Sequence, residues 1–320
     1  EHAKVFDTTW ADLEKRQLSK IREWSKETLK DRRATTYYFF SGPDFMYADA
    51  FFPGSTTYIM AGLEVPGRIP DIAKLRKGSV PGELARLRSA LRSLLKMSYF
   101  ITSEMGSDLN RAQLNGTLPV LYVFLARAGK TIKDVSLVSI SNDGQIQPSA
   151  DNDPKGLPKG TKIVIAGADG KEQTVYYFST NLANNGVANS GFLKFCEGFG
   201  VGEAFVKSAS YLLHNNEFAK VREFLLKVSS TIVQDDTGVP LRFLEQAGYE
   251  VHPHGNYVGP IPVFSGQYQA KLKELFVKQK EEPGQKVYQC ETQNHHLDDV
   301  LDRKLIAQAQ PAIDRGAPVR

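Results

Sequence analysis

The sequence predicts a three-layer α/β fold, in which helices cover a mostly parallel β-sheet and an antiparallel hairpin extends that sheet. Apolar strands alternate with helical patterns from Thr35 to Ile140, which is typical of parallel sheets. Two later strands, Thr161 to Ala166 and Thr174 to Ser179, flank the turn residues Gly-Ala-Asp-Gly, which predict the hairpin. The 320 residues are 41% hydrophobic, which is enough to fill one large core or two smaller ones.

The N-terminal segment, residues 1–34, is predicted to be a docking helix. From Thr9 to about Leu29, four apolar side chains recur near one helical face: Trp10, Leu13, Ile21 and Trp24. Thr9 and Asp12 have the spacing of a capping box, so we expect the helix to begin there.

The next segment predicts a strand, a short helix and a second strand. Thr35 to Phe40 is a β-branched and aromatic run that stops at Ser41-Gly42-Pro43. Asp44 to Phe52 can form two helical turns, and Thr56 to Ala61 is again apolar. This order is the beginning of a Rossmann-like domain.

Helical spacing then predicts two further helices of the core. Pro81 to Lys96 is amphipathic, with a basic stripe that we interpret as a solvated face, although an acidic ligand is the alternative. Leu118 to Ala128 reads as a buried helix that Gly129 closes, and Asp134 to Ile140 follows as a strand.

The rest of the chain is divided by composition. Residues 141–160 are polar and rich in turn formers, which predicts a surface insertion within a core domain of residues 35–277. Helical patterns return at Gly191 to Glu197 and at Glu217 to Ser230. Residues 278–320 are predicted to be a peripheral tail with one helix, Leu297 to Ala309.

Charge and hydropathy exclude two classes of partner. The formal net charge of +4 is too small for a nucleic-acid footprint on a chain of this length, so no nucleic-acid partner is expected. No apolar run reaches the ~20 residues of a membrane-spanning helix, so no transmembrane segment is expected. Cys196 and Cys290 are too sparse for a disulfide framework, and they are either two unpaired thiols or one bridge.

The strand–helix–strand segment also predicts a ligand site. Gly42 would let a ligand approach the backbone, and the amides that follow Asp44 would face it. Glu64 follows Gly42 by 22 positions, near the ~20 expected for a carboxylate that binds ribose hydroxyls. We therefore predict a small-molecule site at Ser41, Gly42, Asp44 and Glu64, against the alternative of a tight turn in a structural core.

The stretch YYFFSGPDFMYADAFFPGSTTYIMAGLE, Tyr37 to Glu64, resembles the first motifs of class I S-adenosylmethionine-dependent methyltransferases. That resemblance implies a group transferase with S-adenosylmethionine as its cofactor. The whole pattern, including Gln234 to Phe243, is also similar to exported bacterial proteins of unknown function.

A second cluster predicts a metal site. His252 and His254 lie two positions apart around Pro253, so in an extended segment both would face one ion. A carboxylate from Asp235 or Asp236 would complete the ligands. The alternative interpretation is a pair of surface-loop histidines beside a turn.

Three functional hypotheses follow: a methyltransferase-like group transferase, a metal-assisted hydrolase, and an exported non-catalytic binding or interaction protein. The familiar G-x-S-x-G, P-loop, H-E-x-x-H and C-x-x-C motifs do not occur in the sequence. The numbering starts at Glu1 rather than at methionine, from which we expect an exported or periplasmic protein, with the cytoplasm as the alternative.

Overall fold

The computed structural model describes residues 2–76, 78–97, 114–149 and 159–280. The chain divides into two compact units, Glu1–Val239 and Pro240–Arg320. Their boundary lies inside the predicted core domain, 35–277. The predicted tail helix, Leu297 to Ala309, and Cys290 lie outside the described residues.

Within the described residues of the first unit, eight strands form one sheet in the order β4-β3-β5-β6-β2-β1-β7-β8. The strands are β1 Thr35–Tyr38, β2 Thr57–Gly62, β3 Thr131–Ile140, β4 Ile146–Pro148, β5 Lys159–Ala166, β6 Glu172–Ser179, β7 Gly202–Val206 and β8 Ser229–Gln234.

The sheet has a parallel part and an antiparallel part, as the predicted fold class requires. Strands β6, β2, β1, β7 and β8 are neighbours in parallel. Strands β4, β3, β5 and β6 are antiparallel neighbours. Strand β6 belongs to both parts, so the predicted hairpin of β5 and β6 is built into the sheet and supplies its third parallel strand.

The helices of the first unit are α1 His2–Leu13, α2 Ser19–Thr28, α3 Phe45–Phe51, α4 Val80–Met97, α5 Leu118–Arg127, α6 Asn184–Ala188, α7 Phe192–Glu197 and α8 Ala219–Val228. In the second unit, the described helices are α9 Leu241–Gln246 and α10 Ala270–Lys280. No helix in the described ranges is long and apolar enough to cross a membrane.

The strands alternate their side chains between two helical layers. Tyr37 on β1 packs edge-on against Phe224 of α8, and its hydroxyl donates to the carbonyl of Gly200 at 2.7 Å. The next residue, Tyr38, points to the other face, where it lies 4.5 Å from the ring of Phe205. Both tyrosines are buried. This alternation makes the fold a Rossmann-like three-layer structure.

The predicted start of the N-terminal helix at Thr9 is wrong. Helix α1 begins at His2, and the Thr9 hydroxyl donates to the carbonyl of Val5 one turn earlier. A threonine within a helix satisfies its hydroxyl in this way, so it has no cap to make. A π-helical turn, Glu14–Leu18, joins α1 to α2.

Two other predicted segments differ from the structure. The predicted insertion, 141–160, contains strand β4 and the start of β5, because its Ser141 to Gln145 turn returns the chain to pair with β3. Residues 150–158 of it lie outside the described ranges. The predicted helix to Ser230 ends at Val228, and Ser229 already begins β8.

Candidate functional site at the carboxyl ends of the strands

The parallel strands reverse their spatial order between β1 and β7. In chain order β2 and β6 are added on one side of β1, after which β7 and β8 are added on its other side. The resulting order, third-second-first-fourth-fifth, is that of doubly wound nucleotide-binding folds. In such sheets ligands bind at the carboxyl ends of the strands near this reversal.

The loop after β1 is held against the end of β2. The Ser41 amide donates to the carbonyl of Ala61 at 2.8 Å. Phe40 and Gly42 have positive φ angles of 61° and 50°, which turn the chain sharply. A phenylalanine in this conformation is uncommon, because its Cβ crowds the following carbonyl.

Gly42 and Glu64, two of the predicted site residues, both lie beside Gly62 at the end of β2. A Cβ atom placed on Gly62, at the end of β2, would lie 3.1 Å from the Cα atom of Gly42 and 2.8 Å from Oε2 of Glu64. The Tyr177 hydroxyl donates to the Glu64 carbonyl at 2.8 Å and fixes the main chain there. The Glu64 side chain is half-buried at this edge.

Asp44 is positioned differently from Glu64, because its carboxylate is buried. It accepts hydrogen bonds from the Tyr38 hydroxyl at 2.9 Å and from Nζ of Lys207 at 3.0 Å. It also caps α3 by accepting from the Tyr47 amide at 3.4 Å. Asp44 therefore takes one of the amides at the start of α3 that are predicted to face a ligand.

Lys207 is a site residue that the sequence analysis missed. It follows β7 directly and is buried, with its Nζ 4.3 Å from the centre of the Tyr47 ring. The Tyr47 hydroxyl in turn donates to the Gln17 side chain in the π-helical turn. A lysine directly after the apolar run Ala204 to Val206 is the signal that could have identified it.

The loop after β7 is the second strained segment. Ser208, Ser210 and Tyr211 have φ angles of 54°, 51° and 57°. Together with Phe40, these are the non-glycine residues with positive φ in the described chain, and all four flank the reversal between β1 and β7. Each such residue costs roughly 1–3 kcal/mol and persists only where its surroundings enforce it.

Asp235 and Asp236 hold this loop in place. The Asp235 carboxylate accepts from the amides of Ser208 at 2.8 Å and Thr237 at 3.0 Å. Asp236 accepts from the Tyr211 hydroxyl at 2.6 Å. Burial raises the pKa of Asp236, and the hydrogen bond from Tyr211 partly offsets that effect. Both carboxylates therefore have protein donors.

Among the described residues, no group of three or more His, Cys, Asp or Glu side chains is able to hold a metal ion. The metal hypothesis therefore gains no support from them. His252 is exposed and lies 3.4 Å from the Glu250 carboxylate. His254 is half-buried, and this burial lowers its pKa. A metal site at Asp235, Asp236, His252 and His254 stays a prediction.

The chain matches no protein-family model, no curated protein and no solved structure. The geometry of the site is therefore the basis for the function proposed below.

Proposed function

We propose that this protein binds a small molecule with neighbouring hydroxyl groups, such as a nucleoside, at the carboxyl ends of β1 and β2. The observation that carries the proposal is the convergence of Gly42, Gly62 and Glu64 beside the reversal of strand order. Gly42 has no side chain, so a ligand can approach the main chain there. A carboxylate at the end of the second strand can accept two ribose hydroxyls.

Group transfer from a nucleotide-like donor, such as S-adenosylmethionine, is the reaction that we propose for this site. The residues suit the ribose part of such a donor better than its charged end. The Ser41 amide is engaged by the Ala61 carbonyl, and Pro43 has no N–H group. Glu64 would therefore provide the main polar contact.

Titration calorimetry with S-adenosylmethionine, its demethylated product and NAD tests the proposal. We expect one of these ligands to bind, and Glu64→Gln to weaken its binding about tenfold to a hundredfold, because a charged hydrogen-bond acceptor is lost. Glu172→Gln, a change of an exposed glutamate at the start of β6, is the matched control and should bind as the unmodified chain does.

A second pair of variants tests the packing that positions Glu64. Gly62→Ala should abolish binding, because the added methyl group displaces Glu64, whereas Gly82→Ala has no atom within 4 Å and should leave binding unchanged. Absence of binding by all three ligands, or equal binding by the Glu64→Gln variant, would contradict the proposal. Binding without transfer to any acceptor would favour a non-catalytic binding protein.

A further inference from the structure

A basic groove lies at the opposite, amino-terminal edge of the same sheet. It is lined by Arg22, Lys26, Leu29, Lys30, Arg32, Pro53 and Gly54, and its volume is about 630 Å³. Lys30 and Arg32 precede β1, and Pro53 and Gly54 precede β2. The groove is thus separate from the candidate site, which lies where these strands end.

The four cations of the groove differ in how firmly they are held. Arg32 donates to the carbonyl of Phe51 at 2.9 Å and to the carbonyl and hydroxyl of Ser25 at 2.7 Å. These three contacts leave two of its five N–H donors for a ligand. Arg22 forms an ion pair with Glu14. The two arginines are therefore fixed before any ligand arrives.

Lys26 and Lys30 supply charge that the protein does not neutralise. Both side chains are exposed, and neither has an ion-pair partner within the described part of the chain. The carboxylates of Asp49 and Glu203 act electrostatically on Arg22 and Arg32, but neither lines the groove. The lining is consequently positive.

The groove also offers a partly dehydrated environment. Burial lowers the pKa of Arg22 and of Arg32, although both remain charged at neutral pH. Leu29 and Pro53 contribute apolar surface beside them. Because charges attract more strongly where water is partly excluded, the two arginines would hold an anion more firmly than fully exposed side chains would.

The size of the groove favours a small ligand over a macromolecule. Small-molecule sites typically enclose roughly 300–1,000 Å³, a range that includes this groove. A nucleic-acid surface would need a more extended basic face than a chain of net charge +4 provides. Arginine and lysine together are the residue types that recognise phosphate groups.

We propose that this groove, formed by Arg22, Lys26, Lys30 and Arg32, is a second binding site, whose ligand is a small molecule with two or more phosphate charges. The proposal is independent of the function proposed for the carboxyl ends of the strands. The same phosphate chemistry is present in free phosphorylated molecules and in lipid headgroups. We commit to the free molecule because four cations around a groove of about 630 Å³ suit a ligand of small-molecule size.

Calorimetric titration of the full chain with inorganic pyrophosphate tests this site. We expect saturable binding that Lys26→Gln with Lys30→Gln weakens about tenfold, because two unneutralised charges are removed from the groove. The control is Lys15→Gln with Lys20→Gln, which removes the same charge from exposed positions outside the groove and should leave binding unchanged. Glu64→Gln should also leave it unchanged, so the two proposals can fail separately.

The proposal would be overturned by an absence of pyrophosphate binding, by equal affinity in the groove variant and the unmodified chain, or by equal losses in the groove and control variants. If the groove variant changed the melting temperature but not the affinity for pyrophosphate, the role of Lys26 and Lys30 would be to stabilise the end of α2. If the chain sedimented with anionic phospholipid vesicles, required these lysines to do so and did not bind pyrophosphate, the groove would be assigned to a membrane surface. That result would also overturn the proposal.

Discussion

The buried pair of Lys207 and Asp44 connects the two loops that flank the reversal of strand order. Lys207 follows β7, and Asp44 lies at the end of the loop after β1, with 3.0 Å between Nζ and Oδ2. Both side chains are buried, and the Tyr38 hydroxyl completes the contacts of Asp44. Burial, with a further contribution from Asp44, raises the pKa of Tyr38 well above its usual value, so Tyr38 acts as a neutral donor. The pair therefore holds the loops in register.

Removing one partner should be costly. Lys207→Met leaves the Asp44 carboxylate buried without its counter-ion, and we expect the free energy of unfolding in urea to fall by about 3–5 kcal/mol. The double variant Lys207→Met with Asp44→Asn should be more stable than Lys207→Met alone, because no buried charge remains.

Lys171→Met is the matched control for this experiment, since its ion pair with Asp169 is exposed. Its free energy of unfolding should change by less than about 1 kcal/mol. An equally small change for Lys207→Met would mean that the buried pair contributes no more than a surface pair.

Glu203 is the second residue whose environment has a measurable consequence. It lies at the start of β7 and is buried, and its Oε2 atom has no hydrogen-bond partner. Burial raises its pKa to about 7, although Arg32 and Arg33 act in the opposite direction. An unfolded chain has a glutamate pKa of about 4.3, so the folded chain binds this proton more tightly.

The stability that this proton contributes is complete below about pH 4 and is lost as the pH rises through about 7. Glu203→Gln keeps the shape without the charge. We expect its effect on the free energy of unfolding to be more stabilising at pH 8 than at pH 5 by roughly 1–3 kcal/mol.

Denaturant unfolding at both pH values measures this difference. Glu172→Gln, which changes an exposed glutamate, should show no such pH-dependent difference. A Glu203→Gln variant that is less stable than the unmodified chain at pH 8 would show that the carboxylate is stabilising when charged.

At the scale of the elements, the hairpin of β5 and β6 depends on one close cross-strand contact. Gly160 on β5 lies opposite Phe178 on β6. A Cβ atom on Gly160 would lie 2.3 Å from the Phe178 ring and 2.6 Å from the Tyr177 carbonyl. Glycine is thus required here because the Phe178 ring occupies the space of a side chain. Its φ angle is not unusual and does not require glycine.

Gly160→Ala should therefore destabilise the protein by about 1–3 kcal/mol, the usual cost of overpacking a filled core. Gly170→Ala, in the hairpin turn, meets no atom within 4 Å but has a φ of 76°, and we expect it to cost about 1 kcal/mol. Thermal and urea unfolding of both variants would measure which substitution destabilises the protein more. A larger cost at Gly170 would mean that turn conformation, rather than packing on Phe178, limits the hairpin.

At the scale of the whole molecule, the parallel strands give the two edges of the sheet different chemistry. The carboxyl edge carries the strained loops, Glu64 and the Asp44–Lys207 pair. The amino edge carries the basic groove and the buried carboxyl of Glu203. Parallel strands place all their starts on one edge and all their ends on the other, so the sequence neighbours of β1 are divided between two separate sites.

Local sequence patterns predicted the fold class, the β1–α3–β2 unit and the hairpin. Each of these follows from local periodicity, turn residues or short-range connections. It did not reveal β7 and β8, because five or six residues without strict alternation resemble the end of a helix pattern. Glu203 lies on β7 and Lys207 follows it directly, so both residues were missed together with that strand.

The hydrogen-bond partners of the predicted polar residues are known only from the folded chain. The sequence predicts Asp44 at the small-molecule site and Asp235 and Asp236 at a metal site. In the structure these carboxylates accept hydrogen bonds from a lysine, a main-chain amide and a tyrosine hydroxyl of other segments. The lining of the basic groove, likewise, comes from α2, the segment before β1 and the turn before β2. The strand order of the sheet supplies these partners, because it brings distant segments together. A buried charge needs a neighbouring partner, and the local sequence does not specify which residue that is.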